Sequence, residues 1–291
     1  MASESEIPKG ESSHPFVNPL REVVQNKLHS GKLDLPVLPE AASKVVTLSY
    51  DENCDISQLA AVIKRDQALS ANVLRISNTP IYSSGTQIKT LDHAVSRLGM
   101  KKVRDIALII SCESRVFQVP GFEKEVRLLF KHSLASAGFA EEIARLRRLN
   151  IEESFLAGLL HDIGKPLLCQ TISDLQKERG AAFPIEAVKI VVQEFHQNLG
   201  SEMVKKWALP ERLVETIAYH HNPMEAPTCS QQAQLTSLAS DFSHHLVGPL
   251  EISEETLRDH PMLGPLNLYE EEVETLFKRK EKVLELVQAV S

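Results

Sequence analysis

The chain has 291 residues, 43% of them hydrophobic and 24% charged, with a net charge of −7 at pH 7. That composition fits a globular protein of one large or two medium domains, and the acidic balance argues against a nucleic-acid polymer as partner. No apolar run approaches the roughly 20 residues that cross a bilayer, so no membrane association is expected.

The start, MASESEIPKGESSHP, is polar and lacks a signal core. Residues 1–16 read as a disordered tail. Cys54, Cys112, Cys169 and Cys229 form no CxxC pair, which fits a reduced cytoplasmic protein that uses thiols as small apolar groups.

Leu20, Val23, Val24 and Leu28 predict a first helix ending at Gly31, and the LPVLP connector at 35–39 is stiff. Helices follow over 40–50 and 56–64, the latter capped by Asp55. Asp66 caps the next, broken by Ser77-Asn78-Thr79-Pro80, and Asp66 and Asn78 read as a cap and a turn residue. Thr90 opens a helix closed by Gly99, and residues 101–117 continue the pattern. Pro120-Gly121 divides an N-terminal helical half, 17–120, from a second half, 121–248.

Long helices are predicted over 123–147, 152–163, 184–207, 210–221 and 229–246. The extension 249–291 carries a charged helix over 268–290 with an apolar stripe. That helix either packs on its own domain or serves self-association or partner docking. Strand patterns are scarce, so the fold class is all-α, a multi-helix bundle preceded by a helical subregion.

Within FLAGLLHDIGK, the apolar residues at three-and-four spacing place His161 and Asp162 at a helix end, with Gly164 as its stop and Lys165 beyond. Two adjacent helical residues lie about 100° apart, as follows from about 3.6 residues per turn. The pair either caps a helix end or offers two ligands to one metal ion. His132, His196, His220, His221 and Asp241 lie on other predicted helices, and His244-His245 reads as surface. Together the five histidines and two aspartates suffice for two metal ions.

Imidazole and carboxylate donors suit transition metals, iron first, with Mn, Zn, Co or Ni also compatible. Asp162 can bridge two ions, and ions so bridged can activate water against a phosphate ester. Lys165 then either neutralises a phosphate oxygen or faces solvent.

LPVLPE, RDQALSANVLRISN and the A-x-x-x-LG-x-x-x-V helix end resemble the HDOD family, the HD-related output domain of bacterial signalling. The resemblance covers roughly residues 20–245 and implies an all-α HD-like bundle. HDIGK, the later single His, the HH pair and the following Asp look like the metal residues of the HD-GYP phosphodiesterases. That likeness implies one ion on His132, His161, Asp162 and Asp241, and another on Asp162, His196, His220 and His221. The chain departs from the pattern after His221, where NPMEAPTCSQQAQL carries no GYP segment. Leu128 stands where a third-metal Glu would be.

Three readings follow. The first is a regulatory HDOD protein with a retained binuclear site, acting through signalling partners or a small phosphorylated ligand. The second is a metal-dependent phosphohydrolase acting on a nucleotide-type substrate, in which Asp162 and Lys165 are catalytic. The third makes the ions structural staples.

Overall fold

The structure, a computed structural model, describes residues 15–290 apart from 31, 32, 34, 83, 84 and 249. Most of the expected polar tail and the Gly31 stop lie outside the described residues. Fifteen α-helices, and no strand, are found among those residues. None of the helices is long and apolar enough to cross a membrane.

The first half holds α1 (Val17–His29), α2 (Glu40–Ser49), α3 (Ile56–Lys64), α4 (Gln67–Ser77), α5 (Leu91–Leu98) and α6 (Met100–Ser111). Their starts follow local chemistry. Asp55 accepts from the Gln58 N–H while Gln58 returns a bond to the Asp55 N–H, a reciprocal cap that satisfies two exposed donors. Asp66 and Thr90 cap α4 and α5 by accepting from the N–H groups of Leu69 and His93. Asn78 is the turn residue: its amide donates to the carbonyls of Leu74 and Ile88, and its oxygen accepts from the Ile88 N–H.

The second half is built on α7 (Glu123–Arg147), which packs against α8 (Ile151–Leu160) and α12 (Ser230–Val247). Beside this core, α10 (Ile185–Lys206) packs on α9 (Gly164–Arg179) and α11 (Glu211–Tyr219). One apolar core runs through both halves. The entry segment reinforces the join: Arg21 pairs with Glu194 of α10 at 2.8 Å, and the Trp207 indole donates to the Pro36 carbonyl.

The predicted charged helix is broken in two, α14 (Glu270–Lys278) and α15 (Lys280–Val290), preceded by the short α13 (Glu254–Arg258). Val283, Leu286 and Val287 are buried, and α15 lies on α7 and α4. The apolar stripe is therefore spent within the chain. Buried Glu142 of α7 meets Lys282 at 2.6 Å and Arg279 at 3.3 Å.

Helix α9 was not predicted. Gly164 reads as a stop, but it and Pro166 occupy the first turn of a helix, where backbone N–H groups have no intrahelical partner and a proline is tolerated. Gly164 opens α9 instead of ending α8.

Candidate metal centre

Histidine 161 caps α8 in helical geometry, and His161–Ile163 form the turn into α9. This turn carries His161 and Asp162 into the space between α7, α10 and the end of α11. Two glycines allow the approach. A Cβ on Gly158 would stand 2.7 Å from the Ser136 carbonyl oxygen of α7, and one on Gly164 would overlap the His196 carbonyl of α10. Both helices therefore sit at backbone contact with the helices that supply His132 and His196.

Two groups of donors result. His132, His161 and Asp162 form one, and Asp162, His196, His220 and His221 form the other, with the donor atoms of each group within 4.8 Å of one another. Asp162 belongs to both. Its Oδ2 lies 3.4 Å from His161 Nε2 and 3.6 Å from His132 Nε2. Its Oδ1 lies 3.4 Å from His196 Nε2 and 3.7 Å from His220 Nε2. Apart from His221, an exposed residue, all these ligand candidates are buried.

The tautomers favour a cation. A carbonyl can only accept, so the ring nitrogen beside it carries the proton. Nδ1 of His161 donates to the Gly158 carbonyl at 2.8 Å, Nδ1 of His196 to Gln193, and Nδ1 of His220 to Ile217. Ser243 donates its hydroxyl hydrogen to the His132 carbonyl and accepts from His132 Nδ1 at 2.9 Å. Each Nε2 is then left with its lone pair facing inward. His132 and His161 meet Nε2 to Nε2 at 3.3 Å, and His196 and His220 at 3.3 Å.

Lone pairs facing one another form no hydrogen bond, whereas a metal ion accepts them all. Outer N–H bonds to carbonyls of this kind orient metal-ligating histidines. Asp162 Oδ1 is buried and has no hydrogen-bond partner, a costly state that a cation relieves. The residues fit a transition metal.

Electrostatics point the same way. Burial holds His161 down at about 4 and, with the neighbouring rings of His244 and His161, keeps His132 well below the usual imidazole range. Burial and Lys165 do the same for His196. Burial pushes the Asp162 carboxyl up, but Lys165 and the surrounding imidazoles outweigh it and hold the group well below the usual carboxylate range. Neutral imidazoles around a carboxylate are ligands in the protonation state that metals require.

The structure places Lys165 inside the centre. Its Nζ donates to Asp162 Oδ2 at 2.6 Å and the residue is buried, so it balances the carboxylate and does not face solvent.

One expected ligand stands apart, and one expectation is corrected. Asp241 is not among the gathered donors: its Oδ2 accepts from His260 Nε2 at 2.8 Å, because the α12 register turns Ser240, Ser243 and His244 toward His132 instead. His244 is not a surface residue, since its ring stacks on His132 at 4.1 Å between centroids. The spacing of Ser240, Ser243 and His244, at i, i+3 and i+4 on one helix face, is the signal that could have found them. Gln193, whose amide lies 3.3 Å from His221 Nε2 at the exposed edge, carried no such signal.

An all-α bundle that gathers histidines around an adjacent His-Asp pair defines an HD-type protein. The sequence matches the HDOD domain over residues 35–223, and the chain belongs to the HDOD family. It is similar in structure to a candidate metal-dependent phosphohydrolase from Shewanella amazonensis SB2B, at 20% identity and TM-score 0.72, covering 94% of this chain and 99% of that one. It is also similar to an HDOD domain protein of unknown function from Geobacter sulfurreducens, at 23% identity and TM-score 0.70, covering 94% and 97%. At these identities the likenesses establish the fold. In sequence it is 24% identical over 204 residues to an uncharacterized protein of Treponema pallidum (strain Nichols). That match takes in 67% of this chain and 39% of the relative's length.

Proposed function

We propose that the chain is a regulatory signal-transduction protein of the HDOD family that retains a binuclear transition-metal site, with iron the first candidate metal. Asp162 is the bridge between His132 and His161 on one side and His196, His220 and His221 on the other. The observation that carries this reading is the orphaned, buried Asp162 Oδ1 facing inward-pointing imidazole nitrogens.

The ions would supply Lewis acidity toward a phosphate oxygen. The chain's own groups favour holding over turnover. Lys165 is committed to Asp162 and is not turned toward an open position where it would meet a phosphate. The ligands other than His221 are enclosed, whereas turnover needs both an open coordination position and a substrate pocket. On this reading the site senses or stabilises, and its output passes to a signalling partner or follows a small phosphorylated ligand. A cytoplasmic location is consistent with it.

Hydrolysis of a nucleotide-type phosphodiester is the second reading, favoured by the exposed position of His221 beside Gln193, where a ligand would reach the second group. The test is a metal-reconstituted assay over cyclic dinucleotides and simple phosphodiesters, run beside Asp162→Ala. The regulatory reading expects bound metal and no turnover. Turnover abolished by Asp162→Ala would replace it with the hydrolytic one.

A further inference from the structure

We infer that Gln193 holds a phosphate oxygen against the second ion, its side-chain amide being released for that task when His221 takes the metal. The inference rests on the binuclear reading above and names the protein group that meets the ligand there.

Gln193 stands on α10, three residues before His196. Its main-chain carbonyl accepts from His196 Nδ1 at 2.8 Å, and its side-chain Nε2 lies 3.3 Å from His221 Nε2. An amide nitrogen only donates, so the imidazole nitrogen accepts and turns its lone pair to Gln193. Four residues on, and so on the same face of α10, Gln197 reaches across to α11 in the same way. Its amide donates to the Ala218 carbonyl at 3.1 Å.

The two contacts differ in what a metal does to them. A carbonyl keeps its donor whether or not an ion is bound, so Gln197 is a fixed tie between α10 and α11. The His221 lone pair passes to the ion when His221 ligates, and it then no longer serves an amide hydrogen. Metal binding therefore frees the Gln193 N–H. His221 is exposed, whereas the other donors of its group are buried, so an outside ligand enters beside it.

The neighbouring charges are already spent. Lys165 donates to Asp162 at 2.6 Å, and Glu194, the next residue of α10, is paired with Arg21. A neutral amide beside an ion suits an anionic oxygen: the ion takes up the charge and the N–H fixes the direction. Hydrogen bonds to an ionised acceptor are also stronger than neutral ones. The main-chain bond to His196 does not depend on the side chain, so a substitution at 193 removes the amide and leaves that ligand's orientation in place.

The test is a titration of the Co2+-loaded full chain with inorganic phosphate, read by cobalt absorption, with ions bound per chain measured for each variant. The wild-type protein is expected to hold two ions and to change its cobalt spectrum with phosphate. Gln193→Ala and Gln193→Leu are expected to keep both ions and to bind phosphate about tenfold more weakly, the scale of one lost hydrogen bond to a charged group. Gln197→Ala is expected to leave phosphate affinity unchanged.

Unchanged phosphate affinity in either Gln193 variant overturns the inference. Loss of the second ion from those variants overturns it too, because the amide would then serve only to support His221. An equal weakening in Gln197→Ala also overturns it, since it would mark a general loosening of α10 against α11. Two bound ions that do not respond to phosphate in the wild-type chain overturn this inference alone, whereas a wild-type chain that takes up no cobalt overturns the binuclear reading itself.

Discussion

Gly164 lies against the main-chain carbonyl of His196 so closely that a Cβ would overlap the oxygen and stand 2.8 Å from the Gly200 nitrogen. Helices α9 and α10 therefore meet backbone to backbone at the point where Asp162 approaches the second group of histidines. Main chain cannot rotate away as a side chain can, so the contact has little slack. Gly164→Ala is expected to cost about 1–3 kcal/mol, the usual penalty of overpacking, and to weaken the ion on His196, His220 and His221. Gly138→Ala, whose Cβ would meet side-chain carbons of Val283 at 3.2 Å, is expected to cost less. Urea unfolding of the two variants, with metal analysis, checks the ordering.

Asp162 is shared by both groups, whereas His196 belongs to one. Asp162→Ala is expected to empty both positions, and His196→Ala to spare the ion on His132 and His161. Without metal, Asp162→Ala also strips buried Lys165 of its partner, a loss of about 3–5 kcal/mol where a buried pair is broken on one side. Elemental analysis of both variants decides the first point, and equal metal retention in the two would contradict the bridge.

The metal-free protein is expected to lose stability in mild acid. Burial holds His161 at about 4 and keeps His132 and His196 low as well, while the unfolded chain protonates them near 6.5. Between those values the unfolded state binds more protons than the fold. The stabilisation is then complete above about pH 6.5 and drains away as pH falls toward 4. His161 alone contributes a slope approaching about 1.4 kcal/mol per pH unit inside the window. Urea midpoints measured in chelator between pH 7 and 5 should fall steadily, and a flat profile would contradict neutral, buried imidazoles.

Glu142 ties α15 to α7 through Lys282 and Arg279. The carboxylate is buried, but both cations are more than a third exposed, so solvent screens much of the attraction. Glu142→Gln is expected to cost about 1–2 kcal/mol, below the value of a fully buried pair. Thermal unfolding checks this, and proteolysis near residue 279 should become faster in the variant.

Most helices were legible because their apolar stripes and caps are local: Asp55, Asp66 and Thr90 cap as their spacing implies. Helix α9 was hidden because Gly164 and Pro166 stop a helix from its interior but are tolerated at its start, and the difference lies in tertiary contact. Six of the seven expected ligand residues gather because each stands on the inward face of its helix or in the turn beside it. That Asp241 stands apart was not legible, because sequence gives a helix position but not the rotation of α12 about its axis, nor the His260 ring that arrives from 19 residues on. The same rotation made His244 a neighbour of His132.

The central claim is that the chain holds two ions around Asp162. It is tested most directly by elemental analysis of the full chain purified under anaerobic conditions, with the metal-to-protein ratio as the readout. The account predicts close to two transition-metal ions per chain, falling to none in Asp162→Ala. Absence of bound metal from the wild-type protein, persisting after reconstitution with Fe2+, Mn2+ or Co2+, would contradict it.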